Sequence, residues 1–173
     1  MPIVADATVF RYLVIVGATD ILPALFGTVL VPPAVVHELQ HASTPAQVRA
    51  WWRTVPSWVQ IQAPRLPPDP ALHFLGEGEQ EAIRLMDEHQ APLLMTDDRD
   101  AYNAAVARGI AVTRTLRVLE IAAERGLLDL PTIVAQLRTA GFYMPEDVVD
   151  EMLARDATRK ATIQEPPPDT RET

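Results

Sequence analysis

Short apolar runs alternate along this chain with longer segments whose apolar positions recur three and four residues apart. The first run, residues 3–6 (Ile-Val-Ala-Asp), reads as a buried strand that stops on a carboxylate. Thr8 is placed to cap a helix over residues 9–16, which Gly17 ends. That helix is apolar nearly all round, and its one charge, Arg11, is expected to bury its stem and keep its head in water. A short helix over 21–26 closes at Gly27 and leads into a second strand, 28–31. Pro32 and Pro33 open the next helix, with Val35, Leu39 and Ala42 on one face, Glu38 on its border and His37 on the far side. Residues 44–55 read as a helix carrying Trp51 and Trp52, and 58–62 alternate as a half-exposed strand should. The Pro-rich run 64–70 is a surface loop, because too little chain precedes it to complete an α/β core.

The second half repeats the grammar. A helix opens at 76–86, and a short apolar run, 92–96, forms a strand that stops on two adjacent aspartates, Asp97 and Asp98. A helix through 101–108 ends at Gly109, a short strand covers 110–113, and 114–125 is helical with Leu116, Leu119 and Ala123 on one face. Two more helices are expected at 131–140 and 145–155. This alternation predicts a three-layer α/β/α sandwich with a mostly parallel central sheet. One domain is expected over 1–155. From residue 156 the composition turns polar and Pro-rich, so 156–173 is expected to be a disordered tail.

Composition narrows the function classes. The chain has 173 residues, 48% of them hydrophobic, enough for one domain with a real core. No apolar run reaches the roughly 18 residues needed to span a bilayer, and no signal peptide is visible, so no membrane role is expected. With no cysteine there are no disulfides, thiolate metal sites or thiol nucleophiles, which fits a cytoplasmic protein. The excess of 23 Asp+Glu over 15 Lys+Arg, net −8, argues against passive nucleic-acid binding by a broad basic surface. An enzyme that bridges to phosphate through cations is still compatible with that charge.

The candidate chemistry lies in the carboxylates. In an open parallel sheet, ligands bind just beyond the carboxyl ends of the strands, so two strands that end in Asp point to one acidic pocket. On the 76–86 helix, Ala82, Ile83 and Met86 share the face of Glu79, whereas Glu77 and Glu81 point roughly the opposite way. Glu79 therefore sits in an apolar stripe, where an unpaired carboxylate is costly and needs a partner. Glu38 flanks its own stripe in the same manner, with a salt bridge as the plain alternative. Asp6 could cap the helix that follows it, although Thr8 could do so instead and leave Asp6 free. Alternation sends one of Asp97 and Asp98 inward; Asp97 is preferred, because Asp98 is well placed to begin the next helix. His37, His41, His73 and His89 show no shared ligand spacing on an inward face. A site of carboxylates without His or Cys is hard and oxygen-rich, suited to Mg²⁺ or Mn²⁺, which can activate water for phosphodiester hydrolysis.

Four segments in order, Val4-Ala-Asp6-Ala-Thr8, Val31-Pro-Pro-Ala-Val-Val-His-Glu38-Leu, Gly76-Glu-Gly-Glu79-Gln-Glu-Ala-Ile and Leu94-Met-Thr-Asp97-Asp98-Arg99, resemble the PIN domain. The nearest likeness is to a branch of prokaryotic proteins described as predicted nucleic-acid-binding proteins, and 112–119 resembles that branch's segment after the last core strand. The likeness runs to about residue 145. It implies a metal-dependent endoribonuclease, often the toxin of a toxin–antitoxin pair, with RNA as substrate, a small antitoxin protein as partner and pairing as a homodimer. It maps the acidic residues that bind Mg²⁺ or Mn²⁺ and act in catalysis onto Asp6, Glu38, Glu79 and Asp97 or Asp98, with Thr8 as the hydroxyl that supports the site. The chain departs from the common pattern in carrying Glu79 where Asp is frequent, and a pair of aspartates in place of one. A non-catalytic PIN-like module that binds metal, nucleic acid or protein is the alternative from another class. Two other Asp-bearing folds fit less well: Phe10 stands where an adhesion domain of the von Willebrand type wants Ser, and Thr8 stands where a haloacid-dehalogenase phosphatase wants a second Asp.

Overall fold

The computed structural model describes residues 1–164. Five short strands, β1 (Ile3–Ala5), β2 (Val29–Val31), β3 (Val59–Ile61), β4 (Leu94–Met95) and β5 (Val112–Thr113), form one sheet in the order β3-β2-β1-β4-β5. All four pairings are parallel. The helices are α1 (Ala7–Ile15), α2 (Ile21–Phe26), α3 (Pro33–Gln40), α4 (Ala46–Trp51), α5 (Glu77–His89), α6 (Arg99–Ala107), α7 (Thr115–Glu124), α8 (Leu130–Thr139) and α9 (Glu146–Gln164). The result is the three-layer α/β/α arrangement that the alternation predicts.

The described residues divide into two compact units, Met1–Val118 and Leu119 onward, and the span 1–155 contributes to both. The first holds the sheet. Val4, Leu30 and Leu94, one from each central strand, pack against Ala82, Ile83, Leu85 and Met86 of α5 and Ala101 and Ala105 of α6. Their chemistry explains the strand burial: β1 and β2 are buried along their whole length, as strands covered on both faces must be. Elsewhere in this unit, Phe10 of α1 meets Trp52 edge-on at 4.9 Å and stacks with Trp58 at 6.4 Å, both favoured ring geometries. In the second unit, α8 buries Val134 and Leu137, and α9 buries Val149 and Met152. Asp129 caps α8 by accepting the Thr132 amide at 3.2 Å.

Three expectations need correction. Helix α1 begins at Ala7 and not after Thr8; Asp6 is its N-cap, in an extended conformation, and accepts the Val9 amide at 3.3 Å. The helix expected over 44–55 is only Ala46–Trp51, entered from Pro45, whose backbone is not helical and which lacks an N–H to donate. Helix α9 continues nine residues into the segment expected to be a tail, through Gln164. Its extension is held by buried Asp156, which meets Arg159 at 2.5 Å and Lys160 at 2.9 Å, one turn further on. The rest of the expected tail, 165–173, lies outside the described residues. Among the described residues no helix is long and apolar enough to cross a membrane.

Candidate active site

The site is built where β1 and β4 stop. Their register pairs Val4 with Leu94 and Ala5 with Met95, so the next residues, Asp6 and Thr96, stand opposite each other. The Asp6 amide donates to the Met95 carbonyl at 3.1 Å. Thr96 donates its hydroxyl to Asp6 Oδ2, while Asp6 Oδ1 accepts the Val9 amide. Asp6 is 2% exposed and Thr96 1%. Burial pushes the Asp6 carboxyl up to about 7, and the negative charges of Asp97 and Glu79 push the same way against its two hydrogen bonds. Among the described residues no basic side chain forms a salt bridge with it.

The two aspartates after β4 separate. Asp98 is exposed and caps α6, accepting the Ala101 amide at 2.7 Å, while its own amide donates to Thr96 Oγ1 at 3.1 Å. Asp97 is half-buried and accepts two bonds from the first residue of α7: the Thr115 amide at 3.0 Å and the Thr115 hydroxyl at 2.5 Å. Burial raises its carboxyl above the ordinary value against those bonds and the nearby charge of Arg114. Asp97, not Asp98, is therefore the neighbour that Asp6 feels.

Glu79 and Glu38 come from two helices that nearly touch. Gly78, buried on the first turn of α5, faces α3; a Cβ there would meet Val35 Cγ2 at 3.0 Å and Glu38 Oε2 at 3.7 Å. Gly76, the N-cap of α5, leaves room for Glu79 to fold its carboxylate back, and a Cβ at Gly76 would collide with Glu79 Oε2. Glu38 lies on the open side of α3, and its carboxyl is raised by partial burial and by Glu79, with Arg11 opposing. Glu81 does not point away from this contact as the helical wheel suggests. It accepts the Ala34 amide at 3.0 Å, answering one of the orphan donors at the start of α3, and lies 3.8 Å from Arg84.

Strand order, the α3–α5 contact at Gly78 and the cleft shared by Arg11 and Glu38 set the groups in a row, Arg11, Glu38, Glu79, Asp6, Asp97, Arg114, and the electrostatic influence of each on the next agrees with it. The order follows the sheet, since Glu38 comes from the helix after β2, Asp6 follows β1, Asp97 follows β4 and Arg114 follows β5. Beside Glu38 opens a cleft of about 170 Å³ lined by Thr8, Arg11, Tyr12 and Thr44. Thr8 thus faces the cleft, and the hydroxyl that holds Asp6 belongs to Thr96. The histidines are elsewhere: His41 bonds Ser43 at 2.8 Å, His73 the Pro70 carbonyl at 2.5 Å, and His89 Gln62 at 2.6 Å, while His37 is exposed.

The donor set is all oxygen, and Asp6 is a buried carboxylate crowded by like charge with no basic side chain paired to it among the described residues. That chemistry fits a hard divalent ion. As the side chains stand, however, no three His, Asp or Glu residues among the described ones are close enough to hold one ion together. Sequence reasoning missed Thr96, Thr115 and Arg114. The only available signal was their position, directly before or after the ends of the apolar runs.

The profile of a family described as a PIN domain matches residues 2–157. No curated protein matches the sequence.

Proposed function

This chain belongs to the PIN-domain family, and from that premise we propose that it is a metal-dependent endoribonuclease that hydrolyses RNA phosphodiester bonds at the carboxylate row. One observation carries the reading: Asp6 is buried at the end of the central strand, beside the charges of Asp97 and Glu79, with no basic partner among the described residues. A cation is the partner such a carboxylate lacks.

Asp6, Glu79 and Asp97 would hold Mg²⁺ or Mn²⁺, with Asp98 committed to capping α6. When bound, the ion supplies a more acidic water and neutralises charge that develops on the leaving oxygen. The chain's own residues do the rest. Thr96 and the Val9 amide fix the orientation of Asp6, and Thr115 fixes Asp97. Glu79 would need to turn its flexible side chain off Gly76 to join them. Glu38, on the open side with a raised pKa, takes the proton from the attacking water. The finer expectations of a toxin neutralised by a small antitoxin protein and of a homodimer rest on the resemblance, and that of a cytoplasmic setting on the cysteine-free composition; co-purification of a small protein encoded alongside tests the first.

The direct test is cleavage of RNA by purified protein with Mg²⁺ or Mn²⁺ and with chelator. Asp6→Asn is expected to abolish cleavage, and cleavage that persists in excess chelator would overturn the proposal. The spacing of the carboxylates favours a second reading, a non-catalytic PIN-like binding module. RNA or protein binding without turnover under any divalent ion would select it.

A further inference from the structure

The row of acidic groups ends in an arginine on each side, and neither arginine is spent on an ion pair among the described residues. Arg84, Arg99, Arg108, Arg138, Arg155 and Arg159 all lie within salt-bridge distance of carboxylates. Among the described residues Arg11 and Arg114 do not, nor do Arg49, Arg53, Arg65 and Arg125; Arg11 and Arg114 are the two of these that flank the carboxylates, and both are exposed. Arg114 sits between β5 and α7, immediately before the Thr115 that holds Asp97. Its guanidinium lies over the ring of Tyr102 on α6, 4.6 Å from the centroid. Such stacking restricts the side chain, so less rotamer freedom is lost when the guanidinium meets a ligand. Arg11 lines the cleft beside Glu38 at the other end.

We propose that Arg114, held on Tyr102, and Arg11 are phosphate-contacting residues that seat a single strand of RNA across the carboxylate row. This rests on the ribonuclease reading of the same site and adds how substrate is held. A guanidinium matches phosphate with two N–H donors at once. The chain carries a net charge of −8, so RNA must find its cations locally rather than on a basic face. Two arginines with four carboxylates between them leave positive charge only at the two ends of the row, a track suited to one strand's phosphates. A duplex would bring the phosphates of its second strand against acidic surface, which is unfavourable. Tyr102 is a positioning residue in this scheme: it acts through Arg114.

The test is fluorescence anisotropy of a short labelled single-stranded RNA, in chelator and in Mn²⁺ over a salt series, with cleavage followed on the same samples. Arg114→Gln is expected to weaken binding roughly 10-fold and to reduce the slope of log K against log salt by about 0.7, the value for one lost contact to a single strand. Arg11→Gln should do the same. Arg114→Lys should keep the slope while losing part of the affinity. Tyr102→Phe should bind as wild type does, and Tyr102→Leu several-fold more weakly. If Arg114→Gln fails to fold, judged by thermal melting, Arg114→Lys and Arg11→Gln still decide the matter. Unchanged affinity and slope in the Gln variants, duplex RNA bound as tightly as single strand, or no RNA binding by wild type would each overturn the track. Wild type that cleaves while these variants bind normally overturns the track alone. Wild type whose binding depends on both arginines, yet which never cleaves, overturns the nuclease reading and leaves the track standing.

Discussion

Thr96 donates its hydroxyl to Asp6 across two neighbouring parallel strands, and both residues are almost fully buried. The bond exists because the β1/β4 register carries one residue past the last strand pair. Thr96→Val keeps the shape but leaves a buried carboxylate oxygen without its donor, a change that costs about 1–3 kcal/mol. Urea denaturation should show that loss, and Thr96→Ser should recover most of it. Metal-dependent cleavage should fall in the Val variant and persist in the Ser variant.

The same carboxyl makes stability depend on pH. Its pKa rises from the ordinary 3.8 to about 7 in the fold, so between those values the folded state binds more protons than the unfolded one. Stability from this group is therefore fully present below about pH 4 and is lost as pH rises through about 7. Asp6→Asn should flatten that part of the melting-temperature profile. A pH profile for wild type that rises from 4 to 7, with no difference from the Asn variant, would contradict the assignment. A divalent ion should raise the wild-type melting temperature more at pH 8 than at pH 5, because proton and cation compete for the same oxygens.

Two glycines on one turn should behave differently. At Gly78 a Cβ meets Val35 Cγ2 at 3.0 Å, and Val35 is fully buried, so it has no room to yield. Overpacking costs about 1–3 kcal/mol, while replacing a helical glycine by alanine gains at most about 1 kcal/mol. Gly78→Ala should thus lower stability by about 1 kcal/mol and separate Glu38 from Glu79. At Gly76 the obstacle is only the flexible end of Glu79. Gly76→Ala should keep its melting temperature and change Mn²⁺ affinity, measured by isothermal titration.

The parts of the site that were legible in sequence are those written in local pattern. Apolar runs that stop on Asp6 and Asp97 mark strand ends at one rim of a parallel sheet, and Asp98 reads as a helix start because a carboxylate caps well there. What pairs across strands or between helices is not local. Thr96 looks like an ordinary strand-end threonine, whose branched side chain suits a sheet in any case, and Thr115 like an ordinary residue of a helix's first turn. A helical wheel gives the angle of Glu81 but says nothing of the α3 amide brought up to it. The same limit misled the reading of 156–164, where polar composition hid a turn-spaced ion cluster around Asp156.

Asp97 offers the last test, because its two bonds come from one residue. The Thr115 amide at 3.0 Å survives any side-chain change, whereas the hydroxyl bond at 2.5 Å does not. Thr115→Val therefore removes half of the support and should cost about 1.5–3 kcal/mol, the range for a hydrogen bond to a charged group. Both Thr115 bonds hold the Asp97 pKa down against burial, so loss of one should move it further up. Asp6 in turn feels the Asp97 charge, so removing that charge with Asp97→Asn should let the Asp6 carboxyl titrate at lower pH. Carboxyl NMR titration should show an upward shift at Asp97 in Thr115→Val and a downward shift at Asp6 in Asp97→Asn. No shift at Asp6 in Asp97→Asn would mean that the two carboxylates are not neighbours in solution.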